Sequence, residues 1–475
     1  MGDDYDYSSA REEAKLGPFM TCLIIFKATI GVGIFTLPYT MIRCGLILGV
    51  LVASLTFYMI TYGIDLLLGL CDIIEKRENK LIRDGFIQEY MKAEEVAFDK
   101  KNKNNDDSEN SRTGMETAPK ETVVNRLSAN IFTVEYQLPK GASYEIVTYH
   151  QVPNRIPGKM REAATVVSIV ATVGMNLGFG VGNYVYLIKA FAEIFSLQDR
   201  VCSVIIYVIT MVLLILIIEP EKIKYLALTI AAFIMAASLL LIGKNSYEIA
   251  SGNYSTDINY FEVKETGLLV GVSIFAFESI ALIINVRRTT KYKKKMRTYT
   301  RWTFFAASVF FILLGLSFMF AFGKQKEYNV AFDYFKDSHR WMFILKYFIS
   351  LNPLFAVPFS TIAIIEIFEK FQPLSSILRV GGQPDSALSG WRIFFIRLFL
   401  LTLIFLLTLI DMPLHIIFDI VGSLFGPFLG MLIPVLCWHS VVKTGTFRKI
   451  HDVIYVIVSI VFGVLGVQYA FQSDD

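Results

Sequence analysis

Gly31, Val32 and Gly33 interrupt an apolar segment that is long enough to span a membrane. The segment runs from about residue 19 to residue 42 (FMTCLIIFKATIGVGIFTLPYTMI). Backbone N–H and C=O groups freed at membrane depth are tolerated only where they line a cavity or are buried in protein. The pattern is typical of secondary transporters, in which the ends of half-helices direct partial charges at a bound solute. We therefore expect a site for a small polar solute at this interruption.

A second interrupted segment lies in the other half of the chain. Residues 267–286 (GLLVGVSIFAFESIALIINV) carry Gly271, Ser273 and Glu278 within an otherwise apolar run. Counted in order, the ten apolar segments before the last one form two groups of five, and each group begins with an interrupted segment. This arrangement is the strongest sequence indication of an inverted-repeat transporter. The alternative is that the glycines allow close packing between helices.

The composition indicates an integral membrane protein. Hydrophobic residues make up 54% of the 475 residues, charged residues 18%, and the mean hydropathy is +0.52. Soluble domains carry about 25% charged residues. The basic residues lie between apolar segments, so we expect a lipid bilayer and no nucleic acid as the partner of the chain. Eleven apolar segments predict eleven transmembrane helices, near residues 19–42, 46–70, 163–195, 201–218, 223–243, 266–286, 302–323, 340–369, 391–411, 414–440 and 451–471.

The distribution of lysine and arginine predicts the orientation of these helices. The loop 287–301 (RRTTKYKKKMRTYTR) contains basic residues and no acid, which places it in the cytoplasm. Counting from this loop puts the N-terminus in the cytoplasm. The predicted parts are an acidic cytoplasmic tail (1–16), a first repeat (17–243), an extracytoplasmic loop (244–265), a second repeat (266–441) and an eleventh helix (450–471).

The first repeat contains a long polar insertion, residues 71–162, with nearly balanced charges. Its composition predicts a cytoplasmic and partly disordered segment. Alternating apolar and polar residues over 130–149 predict a short hairpin within it.

Four motifs in this order resemble the amino acid/auxin permease family, and within it the proton-coupled amino acid transporters of the amino acid–polyamine–organocation superfamily. The motifs are FKATIGVGIFTLPYTMIRCG, GVSIFAFESI, LNPLFAVP and DMPLHIIFDIVGSLFGPFLGMLIP. The resemblance implies a LeuT-type fold, with a 5+5 inverted repeat and one extra helix, in an all-α polytopic membrane protein. Three residues depart from the proton-coupled pattern: Thr29 replaces Asn, Val32 replaces Thr, and Ser279 replaces Gly.

In such a fold, an amino acid would bind between the two interrupted helices. N–H groups at Gly31, Val32 and Gly33 suit its carboxylate, and carbonyls of an unwound 273–278 segment suit its ammonium group. The expected substrate-binding residues are Thr29, Gly31, Val32, Gly33, Tyr186, Ser273, Phe275 and Phe277. For Phe275, Phe277 and Tyr186 the alternative is ordinary packing in the core.

Lys27 and Glu278 are the expected coupling residues. A lysine within a membrane span marks a functional site or an ion pair. In sodium-coupled relatives this region binds a cation together with hydroxyl oxygens, for which Ser360 and Thr361 are the candidates here. The Lys27 ammonium, with its fixed charge and three donors, would replace sodium. The alternative is a permanently charged structural lysine. Glu278 would take up a proton or pair with a cation.

The other charged residues within the predicted spans are not assigned a role in ion coupling. Glu193 and Lys189 are spaced as an i, i+4 ion pair. Asp65, Glu366 and Asp419 are intramembrane acids for which the sequence indicates no partner.

The predicted function is therefore secondary active amino acid transport, Na⁺-independent and coupled to protons, on the plasma membrane or an acidic organelle. The alternatives are sodium-coupled or passive amino acid transport, or a transporter-like nutrient sensor with little flux. No nucleophile–base set, metal-ligand spacing or phosphate-binding loop is present in the sequence, so we expect neither an enzyme nor a cofactor.

Overall fold

The computed structural model describes residues 16–29, 31–106, 146, 149–157, 160–216, 224–277, 283–323, 331, 334, 340–370, 390–410 and 412–472. Within this part of the chain the regular structure is helical, and one isolated β-bridge joins Leu16 to Thr290. The predicted all-α class is confirmed.

The fifteen α-helices of the described residues are numbered in chain order. They are α1 Pro18–Thr29, α2 Leu37–Cys44, α3 Leu46–Asp106, α4 Gln151–Asn154, α5 Met160–Phe195, α6 Asp199–Leu216, α7 Lys224–Ala250, α8 Thr266–Ala276, α9 Ile283–Thr289, α10 Met296–Phe322, α11 Arg340–Lys370, α12 Gly390–Thr408, α13 Leu414–Pro427, α14 Ile433–Val441 and α15 Thr446–Gln472.

Seven helical stretches of the described residues are long and apolar enough to cross a membrane. They lie in α3, α5, α10, α11, α12, the continuous α13–α14 helix and α15, where the sequence predicts spans. A π-helical segment, Phe428–Leu432, connects α13 to α14. Together these helices identify an all-α polytopic membrane protein.

The first apolar segment is divided into α1 and α2, as its glycines predict. α1 ends at Thr29, Gly31 is extended (φ −111°, ψ −170°), and Val32–Phe35 form a 3₁₀ turn. Thr36 closes this turn, because its hydroxyl donates to the Gly33 carbonyl at 2.8 Å. Pro38 then lies in the first turn of α2, where its missing N–H leaves no acceptor unpaired.

The second interruption begins later than the sequence predicts. α8 stays helical through Ala276, and Phe277 ends it (φ −94°, ψ 40°). The predicted unwinding at Ser273 is therefore wrong. All residues from 267 to 276 are buried, and helical hydrogen bonds satisfy a backbone that has no access to water. The chain becomes helical again at Ile283, and Glu278 lies outside the described residues.

α13 is the centre of the packing, because it contacts α5, α8 and α15. Its crossing with α8 brings two backbones together: a Cβ added to Gly422 would lie 2.0 Å from the Gly271 carbonyl oxygen. Glycine is required at such a crossing, since any larger residue would push the two helices apart.

The packing of α13 on α5 follows a stripe of glycines. A Cβ added to Gly174, Gly178 or Gly182 would lie within 2.3 Å of a side-chain atom of α13. The side chains of α13 that fill these three positions are Phe425, Val421 and Phe418. The stripe therefore fixes how far α13 approaches α5.

Ion pairs connect α3 to α9 and α10. Arg287 of α9 donates to Glu75 at 2.7 Å and to Asp72 at 2.6 Å. Asp65 accepts from both Arg297 and Arg301 of α10. The predicted 287–301 loop is thus partly helical, and three of its arginines bind carboxylates of α3.

A second ion pair differs from the spacing in the sequence. Glu193 of α5 pairs with Lys346 of α11, and not with Lys189 of its own helix. Lys189 is exposed, whereas Lys346 is buried and needs a carboxylate partner.

Part of the 71–162 insertion is ordered against the helices. α3 continues as far as Asp106, well beyond the predicted end of its span. Tyr149 is buried, and its hydroxyl donates to the Leu429 carbonyl in the π-helical segment at 2.6 Å. Burial raises the pKa of this hydroxyl above its ordinary value. Most of the predicted 130–149 hairpin lies outside the described residues.

Candidate functional site

The two helix interruptions lie against each other. A Cβ added to Gly33 would lie 3.1 Å from Cδ1 of Phe275 and 3.4 Å from Cα of Ala276. The 3₁₀ turn after α1 therefore contacts the last turn of α8 directly. Glycine at position 33 leaves the least possible bulk between these two backbones.

This contact brings complementary backbone groups together. The first N–H groups of a helix and its last four C=O groups have no partner within the helix. Here the first N–H groups are those of the turn at Gly31–Phe35, and the last four C=O groups are those of residues 273–276 at the end of α8. Phe277 N–H bonds to the carbonyl of Ile274 at 3.2 Å, so one of the four carbonyls is occupied. Within the turn, the Ile34 N–H bonds to the Gly31 carbonyl at 3.3 Å. The turn contributes N–H donors and the end of α8 contributes C=O acceptors, which are the kinds of group that a zwitterion needs.

Phe275 lies at the junction of three helices. Its ring stacks on that of Phe418 of α13, with centroids 4.1 Å apart and an interplanar angle of 16°. The ring of Phe179, on α5, lies 6.1 Å away. Phe275, on α8, is therefore positioned by aromatic side chains of α13 and α5.

Phe277 has a different environment. Its ring centroid lies 4.3 Å from that of Phe57 on α3 and within 5.3 Å of two rings of α10, Phe304 and Phe311. This aromatic cluster is what the packing alternative predicts for Phe277.

The polar candidates differ in how their hydroxyl groups are used. Ser273 is fully buried on α8, and among the described residues its hydroxyl has no hydrogen-bond partner. Thr29 is also buried, but its hydroxyl donates to the Ile25 carbonyl at 2.8 Å. Tyr186 is buried on α5. For Val32 only the backbone is described.

The predicted coupling residues lie on different helices. Lys27 is half-buried in the last turn of α1, a helix that packs on α9 and α10. Ser360 and Thr361 are buried on α11, which packs on α5. Their hydroxyls donate to carbonyls of their own helix, both at 2.7 Å. Each hydroxyl oxygen thereby keeps lone pairs for a cation.

Sequence reasoning did not assign two residues next to this region. Phe418 stacks on Phe275, and Asp419 is buried against Gly271 of α8. The sequence contained two indications: glycines at four-residue spacing in α5, and an acid in an apolar segment. Neither indication identifies the residue of another helix that packs against it.

A family model described as "Transmembrane amino acid transporter protein" matches residues 128–472. The matched residues are more than half of the chain and include α5 to α15. The chain belongs to the transmembrane amino acid transporter family. This confirms the amino acid permease family that the sequence motifs resemble. No curated protein gives a significant match.

Membership of the transmembrane amino acid transporter family assigns the chain to amino acid transport across a membrane. Its substrate is a small molecule, its surroundings are a lipid bilayer, and its family is not a class of enzymes. α8 and α13 lie within the matched residues, whereas α1 and α2 lie before them. The assignment is therefore independent of the Gly31–Gly33 interruption.

Proposed function

We propose that the chain is a secondary active amino acid transporter whose substrate binds between the α1–α2 interruption and the end of α8. The observation that carries this proposal is the contact of Gly33 with Phe275 and Ala276. This contact supports a site in which N–H donors of one half-helix would bind the carboxylate of an amino acid and C=O acceptors of the other would bind its ammonium group. Ser273 would add a hydroxyl group, and Phe275 an apolar wall.

The pairing of α1–α2 with α8–α9 supports a LeuT-type arrangement with alternating access. Each interrupted pair opens one of the two groups of five segments, and helices interrupted at corresponding positions are expected from an inverted repeat. In this arrangement the N-terminus is cytoplasmic, and the membrane is the plasma membrane or that of an acidic organelle.

For the coupling ion, the proposal is a proton without sodium. Lys27 would supply the positive charge that a sodium ion supplies in other transporters, beside the hydroxyl oxygens of Ser360 and Thr361. Glu278, between α8 and α9, would take up the proton or hold the interruption in shape.

Uptake of labelled amino acids into liposomes containing the full chain tests this coupling. The external pH is set to about 5.5 or about 7.5, which brackets the titration of histidine and of shifted carboxyls. Each pH is tested with sodium and with sodium replaced. We expect faster uptake at the lower pH and no effect of sodium. Uptake that requires sodium would contradict the role of Lys27.

Replacing Ser273 with alanine tests the proposed site. Its hydroxyl has no partner among the described residues, so its loss costs little stability. If the hydroxyl binds substrate, losing one hydrogen bond of about 0.5–1.5 kcal/mol raises the KM for uptake about 2- to 10-fold. Initial rates over a range of substrate concentrations measure this change.

Ser203 provides a matched control for that substitution. Its hydroxyl is also buried without a partner among the described residues, but it lies on α6. We expect Ser203→Ala to leave the KM unchanged. Equal effects of the two substitutions would remove Ser273 from the site.

A further inference from the structure

Asp419 is a buried carboxyl group that has no positively charged partner among the residues that the structure describes. It lies on α13 and has no solvent exposure. Its single hydrogen-bond partner among the described residues is the Ser423 hydroxyl, which donates to Oδ1 at 3.0 Å. No donor reaches Oδ2 within the same residues. An ionised carboxylate in such a place is strongly disfavoured, and a proton on Oδ2 removes the charge.

The surrounding helices place no charge against this carboxyl group. α8 contains no ionisable residue, and α15 has none between Tyr455 and Tyr469. α5 has none between Glu162 and Tyr184, and the π-helical segment has none. The titratable groups nearest along these helices and the adjoining α2 are His415, Tyr39, Arg43, Glu265, Tyr184, Tyr186, Tyr455 and Tyr469.

Several of these titratable groups contact one another or backbone atoms. The His415 ring contacts the Tyr39 ring with centroids 5.0 Å apart. Glu265 accepts from Arg43 at 2.9 Å and from the Tyr469 hydroxyl at 2.8 Å. The hydroxyl of Tyr455 donates to the Met59 carbonyl at 2.6 Å. None of these contacts joins a charged group to Asp419.

Asp419 also contacts the helix that ends at the proposed substrate site. A Cβ added to Gly271 would lie 1.8 Å from its Oδ1, and one added to Gly466 of α15 would lie 3.0 Å from the same atom. Gly271 is two residues before Ser273, and Phe275 stacks on Phe418, the neighbour of Asp419. A charge on Asp419 would draw water between α8 and α13 and disturb that stack.

We propose that Asp419 is the proton-binding residue of the transport cycle, loaded in this conformation and emptied when α8 and α13 separate. The inference rests on the proposed proton-coupled function and assigns the proton to Asp419 in place of Glu278 or Lys27. The proton enters from the side of higher proton concentration, binds Oδ2, and leaves on the opposite side. The proposed substrate site and Asp419 both adjoin α8, so a movement of α8 couples substrate binding to proton binding.

Asp419→Asn tests the assignment, because asparagine keeps the shape of a protonated carboxyl but cannot exchange a proton. Liposomes containing the wild type or the variant are given an inward proton gradient, and accumulation of labelled amino acid is measured. Counterflow exchange without a gradient is measured on the same preparations. We expect the variant to lose gradient-driven accumulation and to retain counterflow.

The outcomes separate this inference from the function on which it rests. A variant that accumulates substrate at the wild-type level overturns the role of Asp419 and leaves proton coupling intact. A wild type that ignores the gradient overturns proton coupling, and the inference with it. If Asp419→Asn also lacks counterflow, the Ser423→Ala variant tests the assignment of the proton to Asp419. Loss of that hydroxyl donor moves the pH of half-maximal uptake upward if Asp419 binds the proton, and an unchanged midpoint overturns the assignment.

Discussion

Gly422→Ala is expected to abolish most amino acid uptake and to lower the thermal stability of the protein. The new methyl group would lie 2.0 Å from the Gly271 carbonyl oxygen and 3.1 Å from the Phe275 N atom. Both are backbone atoms, so no side-chain rotation relieves the clash, and α8 must move away from α13. Overpacking of this kind costs about 1–3 kcal/mol, which exceeds the gain of about 1 kcal/mol from alanine in a helix.

The loss of uptake follows from the position of the displaced atoms. α8 carries Ser273 and Phe275, and a displacement that changes the free energy of the transport-competent packing by about 1.4 kcal/mol reduces uptake about tenfold. Initial uptake rates and thermal unfolding of the purified protein measure the two effects. Gly243→Ala is the control, since no neighbouring atom of the described residues lies within 4 Å of a Cβ added there. Wild-type uptake by Gly422→Ala would show that the α8–α13 crossing tolerates separation.

Arg287→Ala is expected to give the largest loss of stability. The Arg287 side chain is 3% exposed and binds Glu75, which is 13% exposed, and Asp72. Removing the cation leaves the buried Glu75 carboxylate without its Arg287 partner, whereas Asp72 is 40% exposed and also interacts with Arg297. Breaking a buried ion pair in this way costs about 3–5 kcal/mol. A fall in the thermal unfolding midpoint of the solubilised protein measures the effect.

The adjacent arginine provides the control for this substitution. Arg288 is exposed, and a surface substitution changes stability by no more than about 0.5 kcal/mol. Arg287→Lys is expected to fall between these two variants, because an ammonium group cannot reproduce the fork of donors that binds both carboxylates. Equal midpoints for Arg287→Ala and Arg288→Ala would contradict the assigned role of the buried pair.

Local sequence patterns predicted the helix interruptions with different success. At Gly31-Val32-Gly33 two glycines and a following proline disfavour helix whatever surrounds them, and the interruption lies where they indicate. Ser273 is polar but does not break a helix by itself, and in a fully buried segment the backbone keeps its helical bonds through Ala276. The position of that second interruption therefore depended on burial, which the sequence does not specify.

Contacts between distant helices could not be predicted from the sequence. The intramembrane acid Asp65 is paired with Arg297 and Arg301, more than two hundred residues away. Asp419 has no such partner within the described part of the chain, where α8 and α15 present glycines to it. Asp65 and Asp419 are both acids within apolar segments of the sequence. Only the packing of the helices distinguishes the ion-paired Asp65 from Asp419, the carboxyl group that we propose carries a proton.

Counterflow in liposomes containing the purified full chain tests the central claim most directly, because exchange requires transport but no particular coupling ion. Liposomes are loaded with unlabelled amino acids, and the entry of labelled amino acids supplied outside is followed over time. We predict a transient accumulation above equilibrium for at least one amino acid, absent from liposomes without protein and strongly reduced by Gly422→Ala. A folded protein that exchanges no amino acid, with sodium or without it and at either pH, would contradict transport through this site.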